Sequence, residues 1–391
     1  MAGCAVWSRR LFTALLLLFL LGGGIVAWCE RASLLSWFYV YNLAHASENG
    51  RQRWVRRVAN LGERALPGLF ACLAQRDALV CANARAALEQ MTDTWDCDDP
   101  RTADLVLRLA REWTRFSPVG QKQILDLAVS WFREGRQAPA AGRAALVSAC
   151  SELLSESAAV NDEDVQASAL ELCSRLFKQT GENQSAALAK VALPLDPALK
   201  LAAAALHSTS ADNRLRAVRL SLYPGMADLL EQVATLLGDE SVEVRRAALV
   251  AVSRAREAVH DDQLLPCLHD PDPEVRRLCE QALIARGLRR EYLELGRLLT
   301  DPRPAQRLQV LDRLRESTEL DTGLWLRRLS HDPSPSIRVA AMRAITQQKL
   351  VDLSDRIDQI AREDSNPTVR QLAQYYLRCS QRDAPPSRTR K

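Results

Sequence analysis

An arginine stands at positions 214, 245, 276, 307, 338 and 370, at intervals of 31, 31, 31, 31 and 32 residues. Six residues before each lies Ser208, Asp239, Asp270, Asp301, Asp332 or Asp364. Chance does not align six copies in this way. Self-similarity at a fixed period marks a stack of supersecondary units, each too small to bury its apolar face alone.

The copies LLGDESVEVRRAAL, LLTDPRPAQRLQVL, LSHDPSPSIRVAAM and AREDSNPTVRQLAQ show what one unit contains. Two residues after the acidic position comes Ser210, Ser241, Asp272, Arg303, Ser334 or Asn366. Five of these six are good helix N-caps, whose side-chain oxygens accept from free backbone N–H groups. The next position holds Pro273, Pro304, Pro335 and Pro367 in four copies. Proline suits the first helical residue, which has no intrahelical donor to lose. Apolar residues then recur at helical spacing, as in Val244, Ala248, Ala251 and Val252. A shorter apolar stretch precedes each turn, for example Leu229 to Leu237. Each unit therefore reads as two antiparallel helices, and the predicted fold is an all-α solenoid of stacked helical hairpins. Composition agrees, with aromatics at only 5% and strand-like alternation of Val, Ile and Thr absent.

With its turn Asp, the Pro opening the helix, the apolar-Arg pairs Val244-Arg245, Val275-Arg276, Ile337-Arg338 and Val369-Arg370, and the alanines that follow, the chain resembles the HEAT-repeat family, including its bacterial short-repeat members. The resemblance implies a HEAT/ARM-like array of six repeats over residues 200–380. It also implies that turn Asp and helix Arg pair between adjacent repeats as a structural ladder. The ladder residues are then Asp239, Arg245, Asp270, Arg276, Asp301, Arg307, Asp332, Arg338, Asp364 and Arg370. Two copies depart from the pattern: Ser208 replaces the Asp in the first, and Gln306 the apolar residue in the fourth.

Residues 46–199 are helical by pattern without the clean signature and read as divergent repeats. Asp77, Asn83 and Arg85 lie near the expected register, and SPVGQKQILDLAVSWF and NDEDVQASALELCSRLF begin like capped helices. Residues 1–10 form a short basic segment. Residues 11–28, LFTALLLLFLLGGGIVAW, carry no charge and are read as a transmembrane helix. Two forms of it are open, a retained signal anchor or a signal peptide with Gly22-Gly23-Gly24 near its cleavage site. Residues 29–45, with Trp37, Phe38, Tyr39 and Tyr41, read as an aromatic juxtamembrane segment. The expected localisation is a single-pass membrane protein with an extracytoplasmic main domain. The end, residues 381–391, has the composition of a disordered tail.

No P-loop, G-x-G-x-x-G, G-x-S-x-G or H-E-x-x-H is present. His207, His269 and His331 share one register, 62 residues apart. Stacked helices lie about 8–10 Å apart, so alternate repeats separate such side chains by roughly 20 Å. Zinc holds its ligands at about 2 Å, so these three cannot share one ion. The ten cysteines form no C-x-x-C and most sit among apolar residues, where cysteine behaves as a small hydrophobe. Arg245-Arg246, Arg276-Arg277, Arg289-Arg290 and Arg327-Arg328 suggest a basic stripe, but its second member becomes Leu308, Val339 and Gln371 in later repeats. A net charge of +4 is small for a nucleic-acid binder of this size.

No catalytic, cofactor-binding or metal-binding residue is assigned from sequence, and no cofactor is expected. The expected function is a membrane-anchored, non-catalytic scaffold with a protein or peptide partner, attached to the membrane through residues 11–28. The alternative is an enzyme, or an enzyme's accessory subunit, on the same fold, as in HEAT-like chromophore lyases. A nucleic-acid-binding solenoid is the third reading.

Overall fold

A computed structural model describes residues 31–95, 99–132, 140–182, 195–316, 320–347 and 352–383. Among the described residues every regular element is helical and no strand occurs. The chain is an all-α solenoid, in two compact units divided between Leu229 and Leu230.

The first unit contains α1 (Arg31–Ala44), α2 (Glu48–Ala59), α3 (Leu66–Leu73), α4 (Ala78–Thr94), α5 (Pro100–Arg111), α6 (Pro118–Trp131), α7 (Ala140–Ser157), α8 (Glu163–Glu182), α9 (Leu195–Leu206) and α10 (Ala211–Leu220). The even-numbered helices pack successively, α2 on α4, α4 on α6, α6 on α8 and α8 on α10. In the facing layer α1 packs on α3, α5 on α7 and α7 on α9. Leu43, Leu69, Leu73, Leu88, Leu105, Ile124 and Leu153 are sealed between the layers.

The second unit contains α11 (Leu230–Thr235), α12 (Val242–Val252), α13 (Asp261–Leu264), α14 (Pro273–Ala285), α15 (Arg290–Leu299), α16 (Pro304–Glu316), α17 (Thr322–Leu329), α18 (Pro335–Gln347), α19 (Ser354–Glu363) and α20 (Pro367–Asp383). Each odd-numbered helix pairs with the even-numbered helix after it. Along the even layer α12 packs on α14, α16 on α18 and α18 on α20, while α14 and α16 are not among the closely packed pairs. Trp325, Leu326, Ile337, Met342 and Ile360 form the core of its C-terminal part.

The helix starts differ in part from the sequence reading. Asp272 accepts from the N–H of Val275 at 2.9 Å, and Asn366 from Thr368 and Val369 at 2.9 and 3.2 Å. Ser210 and Ser241 make no side-chain capping bond. The invariant bond of the turn is made two residues earlier. Asp239, Asp270, Asp301, Asp332 and Asp364 each accept from the N–H two residues on, at 2.7–2.9 Å. A short acidic side chain closes this Asx turn and presents the following residue at the helix entrance, so the cap residue itself is free to vary.

The membrane assignment is corrected. Among the described residues no helix is long and apolar enough to cross a membrane. The longest, α8, carries Glu163, Asp164, Glu171, Arg175 and Lys178, and hydrocarbon does not accept charge at that density. Residues 1–10 and 11–28 lie outside the described residues, as do 384–391 of the tail. Within 29–45, the described part forms α1. Its Val40, Leu43 and Ala44 are buried, and Ser36 donates to the carbonyl of Arg64 at 3.0 Å. Trp37, Phe38 and Tyr41 stand on the exposed side of this helix. The single-pass, extracytoplasmic localisation is therefore withdrawn.

Candidate functional site

The repeated turn places two charged groups where neither could stay unpaired. Each helix arginine lies one turn and a half past its Asx turn and folds back over it. Nη1 of Arg245 donates to the carbonyls of Asp239 and Glu240 at 2.8 and 3.2 Å, and Nη1 of Arg307 to Asp301 and Pro302 at 2.8 and 3.1 Å. Arg276, Arg338 and Arg214 clasp their own turns in the same way. The remaining edge, Nε with Nη2, is a two-donor fork that matches a carboxylate.

The forks of Arg245, Arg307 and Arg338 hold the Asp of the next repeat. Arg245 reaches Asp270 at 2.7 and 2.9 Å, Arg307 reaches Asp332 at 2.7 and 3.0 Å, and Arg338 reaches Asp364 at 2.7 Å through both nitrogens. These pairs are almost dry: the side chains of Arg307 and Asp332 are 9% and 2% exposed. The carboxylate hydrogen bonds raise the Arg245, Arg307 and Arg338 guanidiniums above their ordinary pKa.

The expected pair Arg276–Asp301 is not formed, and this is a correction to the ladder. Asp301 instead accepts from Nε and Nη2 of Arg303, both at 3.1 Å. Arg303 occupies the cap position, where the other copies carry Ser, Asp or Asn, and it is long enough to curl back onto the turn carboxylate. Its side-chain and backbone hydrogen bonds bring the Asp301 carboxyl down to about 2. Arg370 donates through Nη1 to the carbonyl of Asp364. In the first copy Ser208 keeps the turn bond, accepting from the N–H of Ser210 at 3.2 Å. It also donates to Glu163 at 3.2 Å, as does Thr209.

Four joints carry no sequence signature that the period exposes. The Arg286 guanidinium is buried and donates to the carbonyls of Val252, Ser253 and Val259 at 2.6, 2.9 and 2.7 Å, gathering the end of α12. Arg356 does the same for Ser330 at the end of α17, through its carbonyl and hydroxyl at 2.8 Å. In the first unit, Asn83 is fully buried and donates to Leu43 and Ala46 at 2.9 and 3.2 Å. Ser117 donates to Leu73 and Gln75 at 3.3 and 2.5 Å. The register of Asn83, six residues after the capping Asp77, was the one available signal for it.

The second arginines of the proposed stripe are occupied. Arg246 forks onto Asp272 at 3.1 and 2.7 Å, Arg277 pairs with Glu274, Arg290 lies 3.9 Å from Glu294 and Arg328 pairs with Asp262 while lying over Trp325. His269 sits in a turn with Nε2 2.7 Å from the carbonyl oxygen of Arg297. Among the described residues no three His, Cys, Asp or Glu side chains gather as a metal ion would need. Burial pushes the Cys72 thiol up to about 11 and that of Cys173 to about 12, away from nucleophilic use. A cavity of about 460 Å³ opens in the second unit, lined by His269, Leu295, Leu298, Asp301, Arg313 and Leu320 with Glu291, Glu294, Arg297 and Glu316.

Comparison with known proteins adds the following. A family model described as HEAT repeats matches residues 198–284. No curated protein matches the chain. Among solved structures, the crystal structure of an engineered protein from a structural genomics consortium is 16% identical over 89% of this chain and 94% of that one, with a TM-score of 0.38. At that score it is a distant likeness and nothing more. Residues 198–284 are thus similar to HEAT repeats, within an all-α solenoid.

Proposed function

We propose that this chain is a non-catalytic HEAT-type scaffold that holds another protein or peptide along its helices. The observation that carries the reading is the ion-paired joint between hairpins, repeated at Arg245–Asp270, Arg307–Asp332 and Arg338–Asp364. A dry two-point fork fixes the spacing of neighbouring hairpins, so that side chains on successive helices keep their positions for a ligand spanning several of them. Arg246, Arg277 and Arg328 of the basic stripe meet carboxylates of the chain itself, which weighs against a nucleic-acid role.

Crosslinking of the full chain, with the crosslinked positions mapped, tests this reading. Partner crosslinks confined to one run of helices are the expected result. Crosslinks scattered without preference, or a salt-dependent shift of labelled DNA, would remove it.

A further inference from the structure

The fork of Arg276 has no protein partner among the described residues. Its Nη1 is fixed on Asp270 and Pro271 at 2.6 and 2.9 Å, as in the paired copies, so Nε and Nη2 are held in the ladder orientation. The residue that fills this position elsewhere, the Asp 25 or 26 residues on, is here Asp301, and Arg303 has taken it. The junction is also looser than its neighbours, since α14 and α16 do not pack as closely as α12 with α14 or α16 with α18. Beside it lies the 460 Å³ cavity that Asp301 and His269 help to line.

We propose that Arg276 is a binding site for one carboxylate side chain, Asp or Glu, presented by a partner protein in place of the missing rung. The proposal rests on the scaffold reading and names the chemistry of its ligand. The same fork on Arg245, Arg307 and Arg338 takes an Asp carboxylate through both nitrogens, so the preferred ligand is written in the molecule. Arg303 keeps the site open by holding the chain's own Asp301. The cavity limits what flanks the acidic residue. Leu295, Leu298 and Leu320 offer apolar surface, while Glu291 and Glu294 repel further negative charge, since the lining arginines Arg297 and Arg313 are already paired with Glu280 and Glu316. The ligand is therefore a single acidic residue among apolar and neutral ones, and not an acidic tract.

The test uses the full chain on an array of short peptides, each with one central Asp among apolar and neutral residues, beside its counterpart with Asn. The wild type should retain the Asp set in preference to the Asn set. R276Q should weaken that binding about tenfold, the worth of a charge-assisted two-point bond. R303S should weaken it comparably by a different route, because Asp301 is released to fill the fork, and its unfolding midpoint should rise. R246Q, at an arginine of the preceding repeat that pairs with Asp272, should leave peptide binding unchanged, which separates the site from general charge. Equal retention of Asp and Asn peptides, or unchanged binding by R276Q, overturns the site and leaves the scaffold reading standing. An array on which nothing binds, together with absent partner crosslinks, removes both.

Discussion

The two units solve the same problem with different chemistry. Residues 230–383 join hairpins through charged forks, Arg307 on Asp332 and Arg338 on Asp364, with Arg286 and Arg356 gathering helix ends. In residues 31–229, Asn83, Ser117 and Gly120 make buried joints with neutral groups and close backbone approach, beside the more exposed ion pairs Arg85–Asp126 and Arg216–Glu171. A carboxylate–guanidinium pair tolerates some distance and demands a partner for each charge. A neutral amide or hydroxyl bond needs backbones near each other, and so small residues at the crossing. The regular unit therefore keeps a visible period, and the divergent one spends its specificity on individual contacts.

The difference can be broken from either side. Asp332→Ala should have the largest effect, about 3 kcal/mol or more, because it strands the buried Arg307 guanidinium without a counter-charge. Chemical denaturation reads it, and a midpoint within error of wild type would mean the rung is not holding the stack. In the first unit, Gly120→Ala should cost about 2 kcal/mol, since an added Cβ would lie 1.9 Å from the carbonyl oxygen of Leu73. Hydrogen exchange should accelerate in α3 and α6 and leave α16 to α20 unchanged; uniform acceleration would contradict joints of local reach. Asn83→Ala should follow at about 1.5 kcal/mol, as it leaves the carbonyls of Leu43 and Ala46 without their donor.

Acid should separate the units more gently. Asp272 and Asp301 are held down to about 2, by Arg246 and Arg303 respectively. Their folded values lie below the ordinary carboxylate value of about 4, so the stabilisation is present above that pH and is lost as pH falls through about 2. The neutral bonds of Asn83 and Ser117 do not titrate there. Exchange monitored between pH 4 and 2 should show α12 to α16 opening before α3 to α6. The reverse order would show that acid acts elsewhere.

The repeat made the fold legible because its restraint is local: an Asx turn, a proline and an apolar stripe within fifteen residues. Asp77, Ser117 and Asp162 could be read as starts of α4, α6 and α8 for the same reason. Residues 11–28, an uncharged run read as a span, lie outside the described residues, and no described helix is long and apolar enough to cross a membrane. Arg303 shows the opposite case. Its place at the cap position is plain in the sequence, yet nothing local says that its side chain would turn back on Asp301.

What the sequence by itself determined is the hairpin: where helices start, which faces are apolar, and that units stack. What the tertiary structure decided is which charges meet across the stack. Arg276 and Arg307 occupy the same place in their repeats and clasp their turns alike. Among the described residues only Arg307 of the two is paired with a carboxylate, because competition for Asp301 between a neighbour two residues away and a partner 25 residues away is settled by packing. Period fixes positions along the chain, while pairing depends on distances between helices that no single repeat contains.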